Sequence, residues 1–186
     1  PSNYMLLSLI VQKVSGQNLR DFAKENIFTP LGMTNTAFEP ADSTWARNRA
    51  IGYMSGKKGK YENCMIHNKN IGNVGVITTI EDLFLWDSNF YNNKLGTKSA
   101  ELILKMKTPG TLTSGEKTNY GYGLVIGMND SIPFVGHNGR SRGYSSKMRL
   151  FMDDRFSVYV LSNAEYPDDA GPYKTGDKII GIFKRK

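Results

Sequence analysis

The spacing of hydrophobic residues predicts helices in the first part of the chain. The stretch 3–15, "NYMLLSLIVQKVS", is too long for an ordinary strand, and its apolar side chains share one helical stripe at Tyr4, Leu7, Val11 and Val14. Gly16 follows as a C-terminal glycine. Asn18 is placed to cap a second helix, "LRDFAKENIF", which we expect to end before Pro30 because a proline disfavours helical geometry at the preceding residue.

A hairpin and two more helices are predicted in the middle of the chain. Residues 50–66 predict two short strands around a Gly-Lys turn. Thr79, with Asp82 three residues later, resembles a capping box that opens a helix containing Leu83, Leu85, Trp86 and Phe90. The stretch 97–107, "TKSAELILKMK", predicts a further helix, which Pro109 stops.

From residue 120 the hydrophobic period becomes that of strands. The segments "YGYGLVIGM", "SIPFVGH", "GYSSKMRLFM" and "FSVYVLSN", separated by turn residues, predict an antiparallel meander of four strands. The segment "DKIIGIFKRK" predicts a closing helix. We therefore predict an α+β fold with an antiparallel sheet flanked by helices. Because the first apolar helix has no leading cap, we expect the fold to be incomplete at its N-terminus.

Composition narrows the classes of function. The formal net charge is +7, but the basic residues form short, scattered runs without interleaved aromatic residues, so we expect no nucleic-acid partner. The single cysteine, Cys64, excludes an internal disulfide and a cysteine-based zinc site within one chain. A single histidine such as His67 is weak evidence for a metal site, and His67 is predicted to be a loop histidine. No metal and no cofactor are expected.

The second histidine, His137, lies in a predicted strand between Gly136 and Gly139. One interpretation is a strand end with turn glycines. The other is a site where a ligand approaches the backbone closely, since glycine within a strand marks such positions. The residue pattern alone leaves both interpretations open.

The order of several segments resembles the serine β-lactamase family of the class C kind, which includes D-alanyl-D-alanine peptidases, penicillin-binding proteins and related esterases. "YMLLSLIVQKVSGQNLRDFAKENIFTPLGMTNTAF" resembles the block that follows the family's Tyr-x-Asn motif. "IGNVGVITTIEDLFLWD" resembles its Gly-rich loop and capped helix, and "YGYGLVI", "VGHNGRSRGYSSKMRLF" and "FSVYVLSN" resemble its closing strands. The resemblance implies that residues 1–186 are the C-terminal part of a single β-lactamase-like domain.

The same resemblance implies a set of site residues. His137, Asn138 and Gly139 match the His-x-Gly that often stands for the family's Lys-Thr-Gly, on a strand whose edge pairs with the substrate backbone. It gives His137 and Gly139 a place in the catalytic cleft, where the imidazole binds an anionic group or supports proton movement. Asn138 and Arg140, together with Gly72 and Gly75, are then expected to contact substrate. A turn-shaping role for the last two glycines, and exposed hairpin positions for Arg140 and Arg142, remain open alternatives.

The family's nucleophile motif, Ser-x-x-Lys, and its Tyr-x-Asn are not found where the resemblance requires them. Ser55 with Lys58, and Ser114 with Lys117, have the right spacing, but both pairs lie in predicted turns and follow the segment that they should precede. A literal Lys-Thr-Gly at 174–176 is predicted to be a turn and helix cap. We therefore expect this chain to be inactive by itself.

The resemblance implies a longer parent protein that cleaves β-lactam, D-Ala peptide or ester bonds of a small-molecule or peptide substrate through a seryl acyl-enzyme. It also implies an extracytoplasmic location, either periplasmic or secreted. The alternative is a non-catalytic ligand-binding module of the same fold. Apolar surface that the rest of the parent would cover is expected to favour self-association.

Overall fold

A computed structural model describes residues 2–39, 48–55, 60–64, 71–167 and 169–183. The chain forms two compact units. The first unit contains Pro1–Ile51 and Met65–Thr97, and the second contains Gly52–Cys64 and Lys98–Lys186. That both units belong to a single domain stays a prediction.

The elements follow the predicted change from helices to strands. The helices are α1 (Ser2–Ser15), α2 (Leu19–Ala23), a π-helix (Lys24–Phe28), α3 (Thr29–Leu31), α4 (Ile80–Asn89), α5 (Ser99–Met106) and α6 (Gly171–Phe183). The strands are β1 (Ala37–Phe38), β2 (Tyr53–Ser55), β3 (Tyr61–Asn63), β4 (Val76–Ile77), β5 (Val125–Asn129), β6 (Ile132–Ser141), β7 (Tyr144–Phe151) and β8 (Phe156–Ser162). In the described part of the chain, no helix is long and apolar enough to cross a membrane.

The helix expected to end before Pro30 continues through it, so that prediction is wrong. Helix α2 leads into the π-helix and then into α3, which ends at Gly32 with φ 75°. A proline ring inside an α-helix clashes with the carbonyl four residues earlier. In the π-helix the Thr29 N–H donates to the Lys24 carbonyl, five residues earlier, and the chain passes Pro30 in the first turn of α3 without a break.

The core of the first unit lies around the end of this helical run. It consists of Ala23, Phe28, Leu31, Met33 and Leu95. Helix α1 contributes no buried residue, although its sequence is the most apolar of the unit. Its exposed side chains include Leu9 at 60% and Val14 at 82% of their full accessible area, so α1 carries the exposed apolar surface that was predicted.

The predicted cap of α4 is present, but its acidic partner points elsewhere. The Thr79 hydroxyl accepts a hydrogen bond from the Asp82 N–H at 3.3 Å. The buried Asp82 carboxylate does not return to Thr79 as a capping box would. It accepts instead from the Asn35 N–H at 2.8 Å and the Thr36 hydroxyl at 2.7 Å. Asp82 therefore ties the segment after α3 to the start of α4.

The second unit contains the predicted meander. Strands β5, β6, β7 and β8 form an antiparallel sheet in that order, and β2 pairs with β3 in a separate hairpin. Helix α6 packs on β7 and β8, where Phe151, Val158 and Ile180 form a buried cluster.

The closing helix begins earlier than predicted. Helix α6 starts at Gly171, six residues before the expected Asp177, so the Lys-Thr-Gly at 174–176 lies inside a helix and is neither a turn nor a cap. The reason lies in the packing, because a Cβ on Gly176 would lie 2.7 Å from Cδ of Lys147. This glycine makes room for a lysine side chain beneath the helix. Residues 184–186 of the predicted helix lie outside the described residues.

The contact made by Asp82 gives a test of the first unit. Asp82→Ala leaves the buried Thr36 hydroxyl and the Asn35 N–H without their acceptor, and we expect the free energy of unfolding to fall by about 2 kcal/mol. Urea denaturation of the chain measures this loss. The control Glu81→Ala, at the exposed neighbouring position, is expected to change the value by about 0.5 kcal/mol at most. Equal losses in both variants would contradict the assigned role.

Candidate active site

His137 lies exposed on β6, opposite Met148 of β7. Strand β5 pairs only with residues 132–136 of β6, whereas the pairing of β7 with β6 continues to Ser141. Among the described residues, the segment 137–141 therefore has a strand neighbour on one side only. This is the segment in which the sequence predicts His137, Asn138, Gly139 and Arg140 as site residues, and the structure places all four in consecutive positions on one strand.

The imidazole of His137 has a polar partner at each nitrogen. Nδ1 lies 2.5 Å from the carbonyl oxygen of Asn138. Nε2 lies 3.2 Å from the hydroxyl of Tyr120, whose ring meets the imidazole edge to face at a centroid distance of 5.8 Å. A carbonyl only accepts, so Nδ1 donates to Asn138, and in the neutral form of the ring Nε2 is then the acceptor for the Tyr120 hydroxyl.

Tyr120 is a site residue that the sequence analysis missed. It was included only as part of the strand-like segment "YGYGLVIGM", whereas β5 begins at Val125. The four residues from 120 to 123, Tyr-Gly-Tyr-Gly, were the available signal, because repeated glycines in a predicted strand indicate a close approach of backbones. A Cβ on Gly121 would lie 2.3 Å from the carbonyl oxygen of Met106, at the end of α5.

The glycines on either side of His137 differ in their surroundings. A Cβ on Gly136 would lie 2.2 Å from the backbone carbonyl oxygen of Met148. A Cβ on Gly139 would lie 2.3 Å from the hydroxyl oxygen of Ser146, which can rotate away. The fold therefore requires glycine at 136, and at 139 it tolerates a larger residue. The neighbouring strand accounts for Gly136, and close approach of a ligand at Gly139 stays a prediction.

A buried polar network supports the strand from the side of α6. The Tyr173 hydroxyl donates to the carbonyl of Gly139 at 2.9 Å, and Lys147 Nζ donates to the carbonyl of Tyr173 at 3.0 Å. Lys147 is only 4% exposed and forms an ion pair with Asp177. Burial lowers the pKa of the neighbouring Arg149 guanidinium, and the charge of Asp177 opposes that shift. The network fixes the backbone of Gly139 without using its exposed side.

The two other predicted substrate contacts, Gly72 and Gly75, lie in the first unit. Gly72 has φ 147°, and a Cβ there would lie 2.8 Å from the carbonyl oxygen of Tyr4 in α1. The Gly75 carbonyl accepts from the Glu39 N–H at 2.6 Å, and its φ is 99°. Packing within the first unit accounts for both glycines, and their contact with substrate stays a prediction.

Of the two serine–lysine pairs with nucleophile spacing, the pair that the structure describes in full, Ser114 and Lys117, does not begin a helix. Ser114 lies in a tight turn closed by the Leu112 N–H and the Glu116 carbonyl, and Lys117 follows that turn. Ser55 ends β2, while Lys58 lies outside the described residues, as does His67. In the described ranges, no group of three or more His, Cys, Asp or Glu side chains is arranged to hold a metal ion.

The comparison with protein families identifies the family of this chain. The family model described as Beta-lactamase matches residues 1–178. The chain belongs to the β-lactamase family. The resemblance of its segments to that family is thereby confirmed, and so is the α+β fold with an antiparallel sheet flanked by helices.

Relatives in the β-lactamase family cover most of this chain but are much longer. A penicillin-binding protein of Bacillus subtilis strain 168 is 28% identical over 177 residues, which is 88% of this chain and 39% of that protein. A D-aminopeptidase of Cereibacter sphaeroides is 25% identical over 170 residues, or 88% of this chain and 31% of the enzyme. The solved structure of an octameric penicillin-binding protein homologue from Pyrococcus abyssi superposes with a TM-score of 0.81 at 26% identity, covering 98% of this chain and 41% of that one.

The two glycines beside His137 are expected to respond differently to substitution. Gly136→Ala drives a methyl group into the Met148 carbonyl, and we expect it to lower the free energy of unfolding by about 1 to 3 kcal/mol. Gly139→Ala meets only the rotatable Ser146 hydroxyl and is expected to stay within about 1 kcal/mol of the natural chain. Urea denaturation distinguishes them, and losses of equal size would contradict this assignment.

Proposed function

We propose that the protein is a serine hydrolase of the β-lactamase family in which this chain supplies the substrate-binding strand and the serine nucleophile comes from sequence outside these 186 residues. The observation that carries the proposal is the segment 137–141 of β6, which presents an exposed imidazole and has a strand neighbour on one side only. Membership of the family supports it. The chain spans only 31% to 41% of the length of the relatives described above.

The proposed role of His137 is proton acceptance near the reacting centre. Its Nδ1 is committed to the Asn138 carbonyl, so the neutral ring has an acceptor at Nε2 and no second donor. Nε2 has one lone pair, which accepts from the Tyr120 hydroxyl in this chain. In the proposed reaction the attacking hydroxyl replaces that phenol at Nε2 and gives its proton to the nitrogen, and the resulting imidazolium stabilises the negative charge that develops. Of the two roles expected for the imidazole, the geometry therefore favours proton movement.

The backbone beside His137 suits an extended acyl substrate. A peptide or amide placed along residues 137–141 continues the sheet and gains main-chain hydrogen bonds. At Gly139 such a substrate meets no side chain, and its backbone can approach closely. Amides of D-amino acids, β-lactams and small esters are the substrate classes that we propose, since the relatives include a penicillin-binding protein and a D-aminopeptidase.

Two further expectations remain part of the proposal. We place the protein outside the cytoplasm, in the periplasm or secreted. We also propose that it self-associates, because α1 exposes apolar side chains and the Pyrococcus abyssi homologue is octameric. Solution scattering tests the second point, and a strictly monomeric protein would contradict it.

The proposed activity is tested with a fluorescent penicillin and a fluorophosphonate probe. We expect the full-length gene product to be labelled on a serine and this chain alone to stay unlabelled. Specific binding of a D-amino acid amide without labelling of the full-length product by either probe would instead support a non-catalytic binding module of the same fold. Labelling of this chain itself would refute the proposed source of the nucleophile.

His137→Ala is expected to slow probe labelling and hydrolysis by the full-length protein. The acceptor at Nε2 is lost, so kcat/KM should fall by on the order of 100-fold or more. The matched control is His67→Ala, because these are the only two histidines of the chain. A rate that is unchanged in His137→Ala would remove the basis of the proposed site.

Arg140 is proposed to pair with a substrate carboxylate. Arg140→Gln is expected to raise KM about tenfold for substrates that carry a free carboxylate and to leave kcat unchanged, because a charged hydrogen bond to the bound substrate is lost. Substrates whose carboxylate is amidated serve as the control. A matching effect of Arg142→Gln, in the turn after β6, would show that the two arginines act together, and an effect of Arg142→Gln alone would refute the assignment to Arg140.

A further inference from the structure

We propose that Tyr120 is a positioning residue that holds the His137 imidazole in a single tautomer and orientation, with Nε2 as the acceptor. The catalytic consequence of this inference rests on the proposed function, but the geometry at the imidazole does not depend on it. The hydroxyl of Tyr120 is 3.2 Å from Nε2, and the neutral imidazole receives its hydrogen bond there.

The contact with Asn138 alone does not fix an exposed imidazole. The carbonyl of Asn138 follows His137 on the same strand and holds Nδ1 from one side. The ring torsion of histidine is broad and roughly two-fold, so a ring held at one nitrogen retains alternative orientations, and a turned ring loses the carbonyl that selects its tautomer. The Tyr120 hydroxyl at Nε2 holds the orientation in which Nδ1 faces the Asn138 carbonyl, and that carbonyl, which only accepts, then keeps the proton of the neutral ring on Nδ1.

The segment that carries Tyr120 is itself held in place. The Tyr120 carbonyl accepts from the Gly110 N–H at 2.9 Å and from the Thr118 hydroxyl at 3.0 Å. The neighbouring Gly121 fits closely against the carbonyl of Met106, where a Cβ would be only 2.3 Å from the oxygen. The hydroxyl of Tyr120 is thus presented by a backbone that hydrogen-bonds to residues after α5 and packs against the last residue of that helix.

Tyr122 supplies a matched comparison within the same segment. Its side chain is 71% exposed, and its N–H donates to the Met106 carbonyl at 3.2 Å. Substitution of either tyrosine by phenylalanine removes one phenolic hydroxyl and keeps the ring. Only Tyr120→Phe removes a hydrogen bond to His137.

The first test measures the imidazole nitrogens by NMR in this chain, with His67→Gln to assign the two histidines. We expect one tautomer for His137, protonated at Nδ1, in the natural chain and in Tyr122→Phe. Tyr120→Phe is expected to give a mixture with a population protonated at Nε2. A spectrum of His137 that is unchanged in Tyr120→Phe would overturn the proposal.

A loss of loop order is distinguished from loss of the hydroxyl by Thr118→Val. This change removes a hydrogen bond to the Tyr120 carbonyl and keeps the phenol. The tautomer of His137 is expected to persist in Thr118→Val. If Thr118→Val reproduces the mixture seen in Tyr120→Phe, the order of the loop fixes the ring, and the proposed role of the hydroxyl is wrong.

The second test measures catalysis by the full-length protein. Tyr120→Phe should lower kcat about tenfold or more with little change in KM, because a misoriented base affects the reacting step more than binding. Tyr122→Phe should leave both constants unchanged. The two tests can fail separately. If Tyr120→Phe changes the His137 tautomer but the full-length protein is labelled by neither probe, only the hydrolase function is refuted. If the full-length protein is active but Tyr120→Phe leaves the tautomer unchanged, only the role of Tyr120 is refuted.

Discussion

One backbone contact determines much of the candidate site. Gly136 of β6 passes so close to the Met148 carbonyl of β7 that a Cβ would lie 2.2 Å from the oxygen. The contact belongs to the register in which His137 lies opposite Met148 and Asn138 lies opposite Lys147. Because side chains alternate between the faces of a strand, a slip of one residue would send the imidazole to the face that α6 covers. The exposure of His137 and the burial of Lys147 therefore follow from a single register.

The side chains on the two faces of the sheet make different kinds of contact. On the face covered by α6, the charge of Lys147 is compensated by Asp177 and by the Tyr173 carbonyl, as a buried charge requires. The hydroxyl of Tyr173 in turn donates a hydrogen bond to the Gly139 carbonyl and so stabilises that part of the β6 backbone. On the other face, His137 contacts the Asn138 carbonyl and both the hydroxyl and the ring of Tyr120. Burial and ion pairing thus stabilise the strand from behind, while the exposed side keeps a titratable group available for chemistry.

The period of apolar residues was enough to predict the meander and the α+β fold, since strand period and turn residues are local properties of the chain. The same period did not predict the correct bounds of two helices. Pro30 was expected to end a helix that a π-helical turn carries past it, and α6 begins six residues before its predicted start. At Pro30 the local signal was overridden by a rare helical geometry, and at α6 it was overridden by packing against another element. Gly176 resembles a helix cap in sequence, but it makes room for Lys147, which lies on another element.

The sequence also could not predict which residues of the candidate site lie close together. In sequence, nothing distinguishes the environments of Gly72, Gly121, Gly136 and Gly139. Tertiary distances separate them, because the first three face backbone carbonyls and only Gly139 faces a rotatable hydroxyl. The partner of His137 is likewise hidden, since Tyr120 lies 17 residues away on a different segment and no helical or strand period connects them. Resemblance to the family could locate the histidine, whereas the atom that contacts its Nε2 is known only from the folded chain.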